Sequence, residues 1–369
     1  MKNPRRKMAE ALYVHVPFCD HICSYCDFAH VVYQKETVRK WLKALQEEME
    51  EYPISSVLKT IYIGGGTPSC LSADELDVLL GLFDPYRHDV QEYTIEVNPE
   101  TADEDKVSCL IRHGINRVSM GLQTSDDALL KRIGRNHTFA DVKQAVERLQ
   151  NHGLHNISLD LMYSLPGQTM DILKQSVHDA IALKPAHLSL YSLTVEANTV
   201  FGRTGVSSLD EETEADMYEW ICQTLPARGY HQYEISNFAL PGYESRHNLT
   251  YWHYDDFIGL GCGASGKENH ARYDHTRNLK QYFEHPAYRK MIPLTMEDEQ
   301  FEMVMMNLRL KQGMKLADYQ AKFKEDYHVR FGLKTEELKR KGLLEETDGF
   351  IRATGRGYEI LNSVLVELM

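Results

Sequence analysis

A chain of 369 residues, 43% of them hydrophobic, has room for one large domain of about 200–270 residues and a smaller companion. Its formal net charge of −13 argues against a general nucleic-acid binder, and no apolar run approaches the roughly 18 residues of a transmembrane helix. Seven cysteines, an odd number in a long chain, argue against a disulfide framework and for a reducing, cytoplasmic setting.

Residues 1–7 are basic without an apolar signal region and read as a short tail. Residues 11–16 read as a strand, followed by a loop that carries Cys19, Cys23 and Cys26. Val38, Trp41, Leu42, Leu45 and Met49 recur at helical spacing through 35–51. A short strand at 60–63 runs into Gly64-Gly65-Gly66-Thr67-Pro68, and Ser72 with Glu75 forms the capping box of the next helix. Strands are expected at 92–97, 117–123, 156–163 and 187–193, with helical segments at 103–112, up to 150, and at 170–183. Six strands alternating with helices are the pattern of βα units on a parallel sheet. Pattern alone leaves an incomplete barrel and a doubly wound sheet both open.

Beyond residue 210 the pattern changes. A helix at 211–225 and a strand-like stretch at 230–238 lead into a loop-rich region, 241–269. From 293 the chain reads as mainly helical, with a hairpin at 343–353 around Asp348-Gly349 and a last helix at 357–368. This suggests a winged-helix-like module. Ten Lys/Arg against ten Asp/Glu in 315–369 give it no basic footprint, so packing is the expected role and nucleic acid is not an expected partner. The domains are expected at 1–240, 241–292 and 293–369.

The C-x3-C-x2-C spacing of Cys19, Cys23 and Cys26 places three thiols on one loop. Such a set can hold three irons of a 4Fe-4S cluster and leave the fourth open; a zinc half-site or buried free thiols are the alternatives. The other notable residues lie at the ends of strands, where α/β barrels gather their function. The glycine run lets the backbone approach a ligand closely. Glu96 can accept hydrogen bonds from ribose hydroxyls, and Arg135 can clamp a carboxylate. Asp160 sits in an apolar run, which is costly unless it is paired.

The cysteine spacing after a first strand resembles the radical S-adenosylmethionine (SAM) superfamily. That resemblance implies an α/β fold, a partial (β/α)6 barrel of TIM-like type, with a 4Fe-4S cluster and SAM. Tyr13–Cys19, Gly64–Ser69, Glu96–Glu100, Arg117–Gln123 and Asp160–Thr169 narrow it to the group of oxygen-independent coproporphyrinogen III oxidases. By that resemblance Tyr13, Tyr25, Gly65, Gly66, Thr67, Glu96, Gln123, Arg135, Asp160 and Thr194 line the SAM site, with the glycine run holding the SAM amino group.

The oxidases carry another cysteine two positions after the third, where this chain has Phe28, and a longer N-terminal segment. Both departures resemble the sister group, the HemW-type heme chaperones. Arg246-His247-Asn248-Leu249-Thr250-Tyr251-Trp252 matches the H-N-x-x-Y-W pattern of that group. It makes His247 and Tyr251 candidates for heme contact, since both residue types ligate heme iron and Trp252 offers a flat apolar surface. The implied function is to bind heme and deliver it to a recipient, such as a respiratory or other hemoprotein, without stable membrane insertion and with a homodimer as one assembly. The competing readings are oxidative decarboxylation of coproporphyrinogen III and another radical SAM reaction. His21, His30 and His113 are expected to be ordinary surface residues.

Overall fold

The computed structural model describes residues 8–52, 54 and 57–369. The expected tail at 1–7 lies outside them. Six parallel strands form the frame: β1 (Ala11–Val16), β2 (Thr60–Gly65), β3 (Glu92–Val97), β4 (Arg117–Gln123), β5 (Ile157–Tyr163) and β6 (His187–Ser192). They lie side by side in chain order, with a helical crossover between neighbours. Their side chains are buried on both faces, as in Leu12, Val14, Ile61, Ile63, Leu159 and Leu161. Helices therefore cover one face, and the arc's own interior fills the other.

The helices start where side-chain caps dictate. Ser72 and Glu75 satisfy each other's backbone donors at the start of the helix Ala73–Gly81, and Thr138 and Asp141 do the same at Phe139–Asn151. Helix Lys35–Glu51 buries Val38, Trp41, Leu42 and Leu45, and Trp41 meets Phe18 edge to face at 5.6 Å.

Among the described residues the sheet has nine strands rather than six. Past β6 lie two short strands, β7 (His231–Gln232) and β8 (Asn237–Ala239), where the sequence suggests one continuous strand. β8 runs antiparallel to β6 and pairs with β7. At the opposite edge β9 (Ile258–Leu260) adds parallel to β1, pairing Leu12 with Ile258 and Val14 with Leu260. The order is β9-β1-β2-β3-β4-β5-β6-β8-β7, an arc whose two ends do not pair.

Residues 241–292 are thus not simply a loop-rich connection. They carry β9, the helices Arg246–Trp252 and Leu279–Glu284, and most of a small antiparallel sheet built from Ser265–Glu268, Ala271–Asp274 and Lys290–Pro293. Buried Glu48 ties this region to the first long helix: it accepts from the Gly261 backbone at 3.0 Å and from the Tyr282 hydroxyl at 2.6 Å.

The C-terminal helices Met296–Asn307, Leu316–Phe323 and Tyr327–Arg340 pack around Tyr319, Tyr327 and Phe331. The hairpin Leu344–Thr347/Phe350–Ala353 turns at Asp348 and Gly349, both at positive φ as a tight two-residue turn requires. The last helix divides into Gly355–Glu359 and Leu361–Leu368. Among the described residues no helix is long and apolar enough to cross a membrane.

Candidate functional site

The cysteine loop is a closed excursion from the end of β1. Phe18–Cys19 pairs in parallel with Val31–Val32, pinching residues 19–32 into a lobe over the barrel mouth. The Ser24 amide donates to the Ile133 carbonyl at 3.2 Å, anchoring the lobe to the far side. All three cysteines line a cavity of about 440 Å3. Thr67 donates to Cys19 Sγ at 3.5 Å, and Arg135 Nη1 lies 3.6 Å from Cys23 Sγ. Burial pushes the Cys19 thiol up to about 12 and the Cys26 thiol up to about 11. Burial also pushes Cys23 up, but the hydrogen bond with His21 and the Arg135 charge outweigh it and leave the net shift downward.

The glycine run closes the floor. A Cβ on Gly66 would stand 2.5 Å from the Phe18 carbonyl oxygen and 3.0 Å from Cys19 Sγ, so only glycine lets β2 pass beneath the lobe. The Gly65 amide donates to Glu96 at 3.1 Å, and the Tyr62 hydroxyl donates to the same carboxyl at 2.8 Å. Burial pushes Glu96 up to about 7, against the downward pull of those two donors.

At the end of β4, Gln123 adopts φ +64° beside an irregularity in the pairing with β5, and its side chain joins the wall. Such a conformation in a non-glycine residue is held by its surroundings and is common at ligand sites. Arg135 is fixed by Asn98 Oδ1 at 2.8 Å and by the Gly121 carbonyl at 3.2 Å. Among the described residues its buried Nε has no partner, a donor still to be satisfied.

Of the residues offered for SAM, the structure gathers Tyr25, Gly65, Gly66, Thr67, Glu96, Gln123, Arg135 and Thr194 around this cavity. Asp160 lies a layer beneath. It accepts from Ser119 at 2.8 Å and Ser158 at 3.1 Å, and burial pushes its carboxyl upward. Tyr13 faces a different cavity, with its hydroxyl 2.9 Å from His15 Nδ1. Sequence reasoning missed Asn98, Ser119 and Tyr191 in the wall. Asn98 just past β3 and Tyr191 near the end of β6 carried that signal, whereas Ser119 lies within β4 and carried none.

The histidines differ from expectation. His21 Nε2 lies 3.9 Å from Cys23 Sγ and 2.8 Å from the Gly134 carbonyl, and His30 Nδ1 lies 3.6 Å from Cys26 Sγ. Both belong to the cysteine lobe. His113 is buried, with its ring nitrogens at 2.9 Å from Asp77 and 3.2 Å from Asp84. His247 is buried in the barrel, stacked on Tyr62, with Nδ1 2.8 Å from Thr60 Oγ1 and Nε2 2.7 Å from the Tyr251 hydroxyl. Both nitrogens are engaged, so His247 offers no lone pair to an iron in this arrangement. Tyr251 lines the second cavity.

That second cavity, about 560 Å3, opens between the β1 edge of the sheet, the small antiparallel sheet and the helix Met296–Asn307. Phe28, 65% exposed, lines both cavities and stands between them.

Comparison with known proteins matches residues 13–180 to the radical SAM superfamily and residues 294–360 to the HemN C-terminal domain. The chain is 40% identical to the heme chaperone HemW of Lactococcus lactis, covering 97% of this chain and 96% of that protein. It is 38% identical to the Bacillus subtilis heme chaperone HemW, with 96% and 98% covered, and 35% identical to the Escherichia coli one, with 96% and 97% covered. The solved structure of Escherichia coli coproporphyrinogen III oxidase, a radical SAM enzyme, superimposes with a TM-score of 0.83 over 98% of this chain and 90% of that one. At 20% identity that likeness shows the fold. By length, order of motifs and identity, the chain belongs to the HemW family of heme chaperones within the radical SAM superfamily.

Proposed function

We propose that this protein binds heme and delivers it to recipient hemoproteins, with a 4Fe-4S cluster and SAM held at the cysteine cavity. Membership of the superfamily implies the cluster and SAM. The donor set fits them: three unpaired thiols share one lobe, and Arg135 presents an unsatisfied buried Nε beside them. Cys19, Cys23 and Cys26 would hold three irons, and the glycine run and Arg135 would take the amino and carboxylate groups of SAM. Such a cluster supplies one-electron reduction of SAM. Glu96, held by Tyr62 and Gly65, would accept from the ribose hydroxyls. Asp160 holds Ser119 in the wall from beneath.

The observation that carries the heme reading is likeness along nearly the whole chain to proteins named heme chaperones. Phe28 supports it, standing where the oxidase group has a further cysteine. The rival reading is coproporphyrinogen III oxidation, the activity of the protein whose fold this chain shares.

One anaerobic experiment separates the two. Reconstituted protein is given SAM, a strong reductant and coproporphyrinogen III, and a parallel sample is loaded with hemin and mixed with an apo-hemoprotein. Transfer of hemin without protoporphyrinogen formation is the expected result. Catalytic protoporphyrinogen formation would overturn the chaperone reading.

A further inference from the structure

The second cavity has the size and walls for a flat aromatic ligand, with one cation at its rim left for an acidic group of that ligand. Its volume, about 560 Å3, falls within the roughly 300–1,000 Å3 usual for cofactor sites. Tyr13, Phe28, Tyr251, Trp252, Phe257 and Met305 give it a largely aromatic wall. Three cations reach it, and two are already engaged. Lys267 pairs with Asp256 at 2.7 Å and lies over the Tyr254 ring at 4.1 Å. Arg272 pairs with Glu302 at 3.3 Å. Arg277 has neither an ion pair nor a hydrogen bond among the described residues and is exposed at the rim. Three acidic groups share the wall: Glu302 is taken by Arg272 and by the Tyr254 hydroxyl at 2.7 Å, Asp274 accepts from Ser265 at 2.6 Å, and Asp255 is the third.

We propose that the porphyrin carried by this protein lies in this second cavity, with its ring against Tyr251 and Trp252 and one propionate on Arg277. The proposal rests on the heme reading above and assigns it a place. The aromatic wall supplies the apolar surface a porphyrin face needs. A guanidinium at the rim supplies the fork geometry that matches a carboxylate. Phe28 would then separate the carried porphyrin from the cysteine cavity, so cargo and cluster sit side by side rather than in one chamber.

The test uses the full chain, titrated with hemin and, separately, with hemin dimethyl ester, both followed by Soret absorbance. Arg277→Gln is expected to weaken hemin binding about tenfold, the scale of one charge-assisted hydrogen bond. Arg277→Lys should recover part of the loss. The ester has no propionate charge, so wild type and Arg277→Gln should bind it alike. Equal hemin affinity in wild type and Arg277→Gln would overturn the proposal, as would an equal loss for hemin and ester. Failure of the wild-type chain to take up hemin at all would overturn the heme reading itself.

Discussion

His247 Nε2 stands 2.7 Å from the Tyr251 hydroxyl, while Nδ1 stands 2.8 Å from Thr60 on β2. One imidazole therefore joins the H-N-x-x-Y-W helix to the barrel strand beneath it. The histidine acts on the second cavity through Tyr251, by fixing where that ring sits. His247→Ala is expected to cost roughly 2–4 kcal/mol of stability, from a buried void and two stranded hydroxyls. Any loss of hemin affinity should follow from that disorder. Tyr251→Phe keeps the ring and should leave the melting temperature within a few degrees of wild type, yet shift the Soret band of bound hemin. An unchanged band in Tyr251→Phe, with a shifted band in a stably folded His247→Gln, would place the heme iron nearer His247 than Tyr251.

Two buried histidines work against the fold as pH falls. Burial, and then the charge of Arg117, push His247 down to about 3; burial and then Arg135 push His137 down to about 4. A histidine whose folded value lies below its unfolded value gives stability that is complete above about 6.5 and is lost as pH falls toward the folded value. These two histidines therefore pull the melting temperature down from pH 6.5 to 4.5, while buried Glu96 and Glu234, both raised to about 7, pull it up over the same window. His247→Gln, folded at pH 7.5, should show less of the downward pull over that window.

Gly66 has no room for a methyl group between Phe18 and Cys19. Gly66→Ala is expected to displace the cysteine lobe and to lower the iron and sulfide retained after anaerobic reconstitution. Replacing Cys19, Cys23 and Cys26 with Ala should abolish both. Full iron and sulfide retention in the triple variant would remove these thiols from the cluster.

Glu96 titrates near neutrality because burial holds its carboxyl at about 7. Only the carboxylate accepts two hydroxyl donors without offering a proton of its own. SAM affinity of the reconstituted protein should therefore rise between pH 6 and pH 8. Glu96→Gln should bind more weakly and flatten that profile. The same carboxylate is a buried charge, so its contribution to stability runs the other way. A raised carboxyl value favours the protonated fold, and that gain fades between about 4.5 and 7 as pH rises.

The parallel frame was legible because strands buried on both faces read as short apolar runs, and the glycines and caps mark where each one ends. Glu96, Gln123 and Arg135 were legible as a set because each falls at or after such an end. β9 was not: three residues, Ile258–Leu260, carry no period, and their place follows from a register with Leu12 and Val14 far away in the chain. The role of His247 was hidden for the same reason. Its partner Thr60 lies 187 residues earlier, and a sequence does not say which face of a short helix meets which strand.

The pairing of β9 with β1 also orders events during synthesis. The strand that leads into the cysteine lobe has one neighbour, β2, made soon after it, and another made only after residue 258 leaves the ribosome. Until then β1 is an open edge, with unpaired amides and carbonyls and a fully apolar flank. A nascent chain with that edge exposed is prone to wrong pairing, and the contact that closes it is among the most distant in the fold. Metal loading of the lobe before that closure would fix the cysteines on an unfinished support, so the folding order favours a finished chain as the species that would receive a cluster.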